Sequence, residues 1–599
     1  MVRSGRHCED EADDVSWYES RRAVRRRPSW LGPAALGTGG ALLVVGGVLA
    51  GASFFPARLA GHTGCTGPRA SATVAAAPDH AAVLRRLAAE WSLTEPTVGG
   101  ACASVTVLSA ASATVAATLG TAVGGGRPDA WAPESAVWAA LAASRPEAAA
   151  ALPRTGGSLA ITPVVIAVPR GRAAALGWPR QRLSWRAVLA AMTKDPTWRA
   201  YGHPAWGRFV IGMGDPTRST AALHTLLAVA DGNRDGAVSQ AEVADELVLE
   251  RSVGRYGTDA QLADRAGGTG PVAAFPATEQ AVLAHNSGAD AGGEVDQLVP
   301  VYPTDGIAEA DHPFLPLRGS WVSARTARVA QAFADFARGP AGRAAYGRAG
   351  FRSPDRSARA IPAAVAVTGT VAAGYRTRTL PAATQAAQAL VRWRALRRPA
   401  NVLAAIDTSG SMAEQAPGLP VTKLAVFQKA AAQAVTLFNA RSRLGLWEFS
   451  SLLDGPRDYR QLVPARPLAA RVGGIDQRAL IIGTTARMRA VGNTGLYDTI
   501  DAGYRQVRRA WRPDQQNILV VMTDGKNEDG HGLSLAQLVS SLRAQVSPKR
   551  PVSVILIAYG SDADVVSLGE AAAPVHGRTY WAKNPADIGK VFLAAMVNR

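Results

Sequence analysis

The stretch "AAIDTSGSM" at 404–412 sets Asp407, Ser409 and Ser411 on alternate positions at the end of an apolar run. Two more oxygen donors follow, Thr494 in "GNTGLYDTI" and Asp524 at the close of "NILVVMTDG". Taken alone, "DTSGSM" reads as a polar turn, a serine nucleophile with its helper, or part of a metal site. A nucleophile needs a base and usually a nucleophile elbow, and the chain has no G-x-S-x-G, H-E-x-x-H or P-loop. Its nine histidines show no ligand-pair spacing, so no catalytic engine is visible and no enzyme is expected. Two carboxylates with three hydroxyls suit Mg2+ (or Mn2+), which takes near-octahedral oxygen. Few charged ligands leave such an ion able to accept an external anion.

A second constellation is "DGNRDGAVSQAE" at 231–242, which fits D-x-[DN]-x-[DN]-G-x5-E. Asp231, Asn233 and Asp235 supply oxygens at positions 1, 3 and 5, and Gly236 makes the sharp turn. Ala237 offers its carbonyl, Ser239 sits at position 9, and Glu242 is placed to bind Ca2+ bidentately. Helical patterns flank it, so it looks like one EF-hand without a second hand to pair with. The competing interpretation is an acidic turn between helices.

The elements that must hold these groups follow from periodicity. Over about 66–355, short apolar runs alternate with helical ones. Residues 72–78, 102–110 and 158–170 read as strands, and 79–91, with Asp79 at its N-cap, and 135–145 as helices. Residues 207–230 read as strand, loop and helix. This rhythm argues for an open α/β sheet flanked by helices. Residues 356–395 read as a linker, with a short helix at 382–399. Over 396–599 the strands are 401–407, 443–451, 517–525, 552–560 and 578–583, with helices at 421–439 and 585–598. Such a set makes a doubly wound, mostly parallel sheet whose sites lie beyond the strands' carboxyl ends, where Asp407 and Asp524 fall.

The phrases "PDAWAPESAVW" (128–138), "GMGDPTRSTAAL" (212–223) and "FARGPAGRAAYGRAGFRSPD" (336–355) resemble bacterial extracellular solute-binding proteins of the two-lobed periplasmic type. That resemblance implies a ligand in a cleft between lobes, held where strands end and helices begin. The matching positions are Ser135, Ser158, Ser219 and Thr220, with Thr278, Thr304 and Asp305 from the other lobe or the hinges. Helix N-termini would favour a small polar or anionic solute, and the same hydroxyls serve equally as N-caps. The set Asp407, Ser409, Ser411, Thr494 and Asp524 resembles the metal-ion-dependent adhesion site of the von Willebrand factor type A family. It implies capture of an acidic side chain of a protein partner through the ion.

The bulk numbers bound the rest. A chain of 599 residues is too long for one core. Its net charge of +18 is spread along the chain without an aromatic-interleaved stripe, which argues against nucleic acid. Residues 31–55 form 25 uncharged residues preceded by "RRAVRRR", which reads as an N-terminal transmembrane anchor with residues 1–30 cytoplasmic. A cleaved signal peptide ending near "AGA" at 50–52 is the competing interpretation. With this topology Cys8 is reduced, while Cys65 and Cys102 lie in an oxidising compartment and are expected to bridge. The expectation is therefore a single-pass cell-membrane protein with its bulk outside, recognising ligands through the metal site and the cleft. The alternatives are the substrate-binding component of a transport system, or an accessory subunit of an enzyme complex.

Overall fold

A computed structural model describes residues 65–584 and 591, apart from 122–125, 154–155, 182, 195–196, 234, 267–269, 290–296, 356–368, 370–374, 380, 437 and 561–562. The expected anchor at 31–55, Cys8 and nearly all of the expected terminal helix 585–598 lie outside the described residues.

Two sheets make the first domain. One runs Thr97–Val98, Ala101–Ser109, Arg69–Ala76, Ala130–Ala132, Pro313–Pro316, Gly157–Ser158 in spatial order. Arg69–Ala76 pairs in parallel with Ala101–Ser109 and Ala130–Ala132. Helices follow these three strands at Pro78–Leu93, Ser112–Thr118 and Ala136–Ala142. The other sheet runs Leu298–Val301, Thr162–Pro169, Val272–Thr278, Val210–Met213, Val253–Tyr256. Thr162–Pro169 is buried at every position, as a Val/Ile run covered on both faces must be. The chain passes from the first sheet to the second between Ser158 and Thr162 and returns between Ala310 and Pro313. Two crossings therefore divide the domain into two lobes. They meet directly, since the Trp138 indole N–H donates to Thr220 Oγ1 at 2.7 Å.

The C-terminal sheet has the spatial order Arg457–Pro467, Arg443–Asp454, Ala400–Asp407, Gln516–Thr523, Ser553–Tyr559, Arg578–Ala582. Ala400–Asp407 is parallel to both of its neighbours, and only the edge strand Arg457–Pro467 runs antiparallel. The connections leave the central strand first to one side and then to the other. Its carboxyl end, at Asp407, is thus a topological switch point, where an open α/β sheet leaves room for a ligand. The mixed α/β order is that expected from the sequence.

Between the domains, the helix Ala383–Arg397 buries Ala386, Ala389, Leu390, Trp393 and Leu396, a stripe at helical spacing. It packs this stripe into the core around Trp138 and Leu226 of the two lobes. Its far end reaches the C-terminal sheet. Arg398 donates to the carbonyls of Pro513 and Gln515, and Gln516 donates to the Ala395 carbonyl.

The single-pass membrane localisation expected from the sequence is corrected here. No helix among the described residues is long and apolar enough to cross a membrane. The longest, Pro78–Leu93, has 16 residues and spans about 24 Å at 1.5 Å per residue, short of a roughly 30 Å hydrocarbon core.

Candidate functional site

At the switch point, the buried Asp407 carboxylate accepts from the Ser409 amide at 2.8 Å and from the Thr523 hydroxyl at 2.5 Å. Ser409 Oγ lies 3.1 Å from Ser411 Oγ, and Ser411 Oγ donates to Asp524 Oδ1 at 2.9 Å. Thr494 is buried, its hydroxyl 3.6 Å from where a Cβ on Gly525 would stand. The structure thus gathers Asp407, Ser409, Ser411 and Asp524 into one hydrogen-bonded group, with Thr494 beside the segment following Asp524. Burial pushes the Asp407 carboxyl up to about 7, opposed by its hydroxyl and amide donors, with the Asp524 charge adding to the rise. A divalent cation would relieve that cost, and two carboxylates with neutral hydroxyls fit Mg2+. Sequence inspection missed Lys423, whose ammonium sits 3.0 Å from Asp524 Oδ2 and 2.8 Å from Glu414 Oε2. Nearby, the carboxylates of Asp458, Asp498 and Asp529 come within 4.8 Å of one another.

The 231–242 loop joins the helices Thr220–Ala230 and Gln240–Ser252. Gly236 has φ +73°, the left-handed conformation glycine tolerates best. Its amide donates to Asp231 Oδ1 at 3.2 Å. Asp235 accepts from the Ala237 amide at 2.7 Å and from Asn233 Nδ2 at 2.8 Å. Glu242 accepts from the Asn233 amide at 3.0 Å and from the Ser239 amide and hydroxyl at 2.9 and 2.8 Å. Burial disfavours its charge, yet these donors outweigh it and hold the carboxyl below its ordinary range. The oxygens at positions 1, 3, 5 and 12 are thus drawn around one turn.

Three of the seven cleft residues meet where the lobes touch: Ser135 Oγ lies 3.0 Å from His224 Nε2, on the helix that Ser219 caps and Thr220 begins. Ser135 and Ser219 cap helices, accepting from the amides of Val137 and Ala222. Thr278 Oγ1 likewise accepts from the Ala281 amide at 3.1 Å. Ser158 pairs with Pro313 in the first sheet. Thr220 donates to Glu134, and Asp305 accepts from the Arg186 amide at 3.4 Å. Thr304 is exposed and donates its amide to the Leu183 carbonyl at 3.0 Å.

None of the seven lines an open cavity in the second lobe, to which the first lobe contributes Asp79. Its volume is about 340 Å3, and its polar lining is Asp79, Asp259, Asp264, Gln280 and His285. Asp79, expected at an N-cap, is instead the second residue of the helix. Ala77 holds the cap position, which frees the Asp79 side chain to accept from His312 Nε2 at 2.6 Å. Burial counts against the His312 charge, but Asp79, Glu134 and Asp311 outweigh it and raise its pKa. Burial, reinforced by the Asp79 charge, pushes Glu134 up to about 8 and Asp259 up to about 7. These residues carry no motif; the only sequence signal, for Asp79, Glu134 and Asp259, is a position at a strand-to-helix junction.

Residues 72–352 match the family model for bacterial extracellular solute-binding protein, which supports a binding role for small solutes and places such proteins outside the cell. An uncharacterized protein of Mycobacterium tuberculosis is 28% identical over 534 residues, covering 86% of this chain and 74% of its own. Among solved structures, the periplasmic binding protein AfuA from Actinobacillus pleuropneumoniae, with exogenous fructose-6-phosphate bound, is 12% identical. That likeness covers 54% of this chain and 97% of AfuA, with a TM-score of 0.39. A von Willebrand factor type A structure from Catenulispora acidiphila is 19% identical over 33% of this chain, with a TM-score of 0.26. The match spans less than half of that chain, 42%.

Proposed function

We propose that this protein is the substrate-binding component of a transport system, holding a small solute between the lobes of its first domain. The observation that carries this is the open, polar-mouthed cavity within the family-matched segment, of a size suited to a small ligand. The test is native mass spectrometry of the full chain purified without denaturation. A co-purifying small molecule released on unfolding is expected; solute-free protein that binds nothing across a metabolite panel overturns the proposal.

A second role is favoured by one specific observation, the convergence of Asp407, Ser409, Ser411 and Asp524 with Thr494 nearby at the switch point. We propose that these residues hold Mg2+ in a domain of the von Willebrand factor type A kind, and that the ion accepts an acidic side chain of a protein partner. When bound, the ion supplies a Lewis-acidic position for that carboxylate. The chain itself orients the hydroxyls through the Ser409–Ser411–Asp524 hydrogen bonds. Millimolar Mg2+ is expected to raise the melting temperature, and Asp407→Ala to abolish that increment. An equal increment in the variant overturns the assignment. The 231–242 loop is proposed to bind Ca2+ as a stiffening element between its two helices.

A further inference from the structure

The charge of the cavity is at odds with that of the chain. The protein carries 65 Lys and Arg against 47 Asp and Glu. Yet among the described residues, neither a lysine nor an arginine lines the cavity, while Asp79, Asp259 and Asp264 all do. Asp264 is exposed at its mouth, and Asp79 and Asp259 are half-buried inside. Two buried guanidiniums of the first domain are committed elsewhere: Arg352 to Glu279 by two hydrogen bonds of 2.7 Å, and Arg172 to the carbonyls of Ala266, Gly270 and Val272. Asp79 is matched on one oxygen by His312, but Oδ1 is buried and has no hydrogen-bond partner among the described residues. His285 Nε2, also on the cavity wall, is buried in the same condition. A buried carboxylate oxygen without a donor costs free energy that a ligand's N–H or positive charge would recover. The remaining walls are apolar, with Phe275, Val282 and Leu298 among them.

We propose that the solute held in this cavity is a small organic cation, its ammonium group set against Asp79 and Asp259 and its apolar body against Phe275, Val282 and Leu298. This rests on the solute-binding proposal above and gives it a ligand class. It replaces the polar or anionic solute that helix N-termini suggest. At the helix Pro78–Leu93, the first-turn carboxylate of Asp79 already occupies the position an anion would take. The cavity volume and apolar walls favour an organic cation over a bare metal ion, which would leave most of the space empty.

The test uses the full chain and calorimetric titration with putrescine, spermidine, choline and benzylamine. Inorganic phosphate, citrate, glucose and the chlorides of Mg2+ and Zn2+ form the comparison arms. At least one organic cation is expected to bind, and Asp79→Asn and Asp259→Asn are each expected to weaken it tenfold or more. Asp264→Lys, at an exposed position where folding is not at stake, is expected to weaken it in the same direction. Binding of an anion or sugar that these substitutions leave unchanged or strengthen overturns the cation assignment while solute binding stands. A bare divalent ion that binds with the same sensitivity to Asp79 overturns the organic class. Absence of binding in every arm overturns the cation assignment and the solute-binding proposal together.

Discussion

Arg352 and Glu279 join the lobes beside the first crossing. The Arg352 carbonyl accepts from the Ile161 amide at 2.9 Å, while Glu279 begins the helix that follows Val272–Thr278. Both side chains are sealed from solvent and share two 2.7 Å hydrogen bonds. Tyr302 donates a third to Glu279, and the guanidinium lies 5.3 Å from the Tyr375 ring centroid. Arg352→Met strands the Glu279 carboxylate in a site with no other cation on it among the described residues. Breaking a buried pair from one side costs about 3–5 kcal/mol. At roughly 2 °C per kcal/mol for a large domain, that lowers the first domain's melting temperature by about 6–10 °C in scanning calorimetry. Arg352→Met with Glu279→Leu removes both charges and is expected to restore most of the loss, because what the single variant suffers is desolvation of an orphaned charge. A single-variant drop below about 2 °C would mean that water reaches the pair, and a double variant as unstable as the single would show that the pair itself carries the stability.

Three further outcomes are expected. Cys65 and Cys102 form a disulfide across 37 positions, so Cys102→Ser is expected to cost about 4 kcal/mol by loop entropy; a variant melting with the oxidised parent refutes this. Millimolar Ca2+ is expected to raise the melting temperature, and Glu242→Gln to remove that increment; a parent without the increment refutes the calcium loop. Stability is expected to fall between pH 6.5 and 8.5. Glu134, held up at about 8, and Asp259 and Asp407, held up at about 7, keep protons in the folded state that the unfolded chain has already lost. His312, also raised, acts in the same direction. His80 and His224, which burial lowers to about 4 and about 3, contribute only below 6.5, with the opposite sign. The slope is at most about 1.4 kcal/mol per pH unit per proton. Melting temperatures that rise across this window refute the assignment, and Glu134→Gln is expected to flatten the slope.

What could be seen in the sequence was whatever is encoded locally. The strands ending at Asp407 and Thr523 are apolar runs, and the D-x-S-x-S spacing fixes three donors on one turn. The 231–242 loop carries its whole donor set in twelve consecutive residues. The cavity was invisible for the opposite reason. Asp79 meets His312 across 233 positions, and its other neighbours on the wall come from 259–298. No spacing announces such a meeting. The hydroxyls that looked like ligands sit where strands become helices, and backbone amides there claim them first, as at Ser135, Ser219 and Thr278. Lys423 escaped because it reads as one more residue of an amphipathic helix; only the fold turns its ammonium onto Asp524.

The helix Ala383–Arg397 shows how far a local pattern leads and where it stops. Its apolar stripe is legible, but a stripe does not say which core receives it. In the structure it enters the core of the two lobes, and charge fixes it there. Arg392 binds Glu246 through hydrogen bonds of 2.6 to 3.2 Å, and Arg397 reaches Asp215 at 2.6 Å. Asp215 belongs to the loop after Val210–Met213, where its side chain also accepts from the amide and hydroxyl of Thr217. Three residues beyond Arg397 the chain enters the strand that ends at Asp407. At the same point Asn439 donates to the Arg397 carbonyl from the C-terminal domain. A segment with a buried tryptophan and two ion pairs to the first domain, and with hydrogen bonds to the C-terminal domain, cannot swing as a free tether does. The orientation of the Asp407 face relative to the cleft is therefore set by packing around Trp393, and Trp393→Ala, which empties that core, is the substitution that would loosen it.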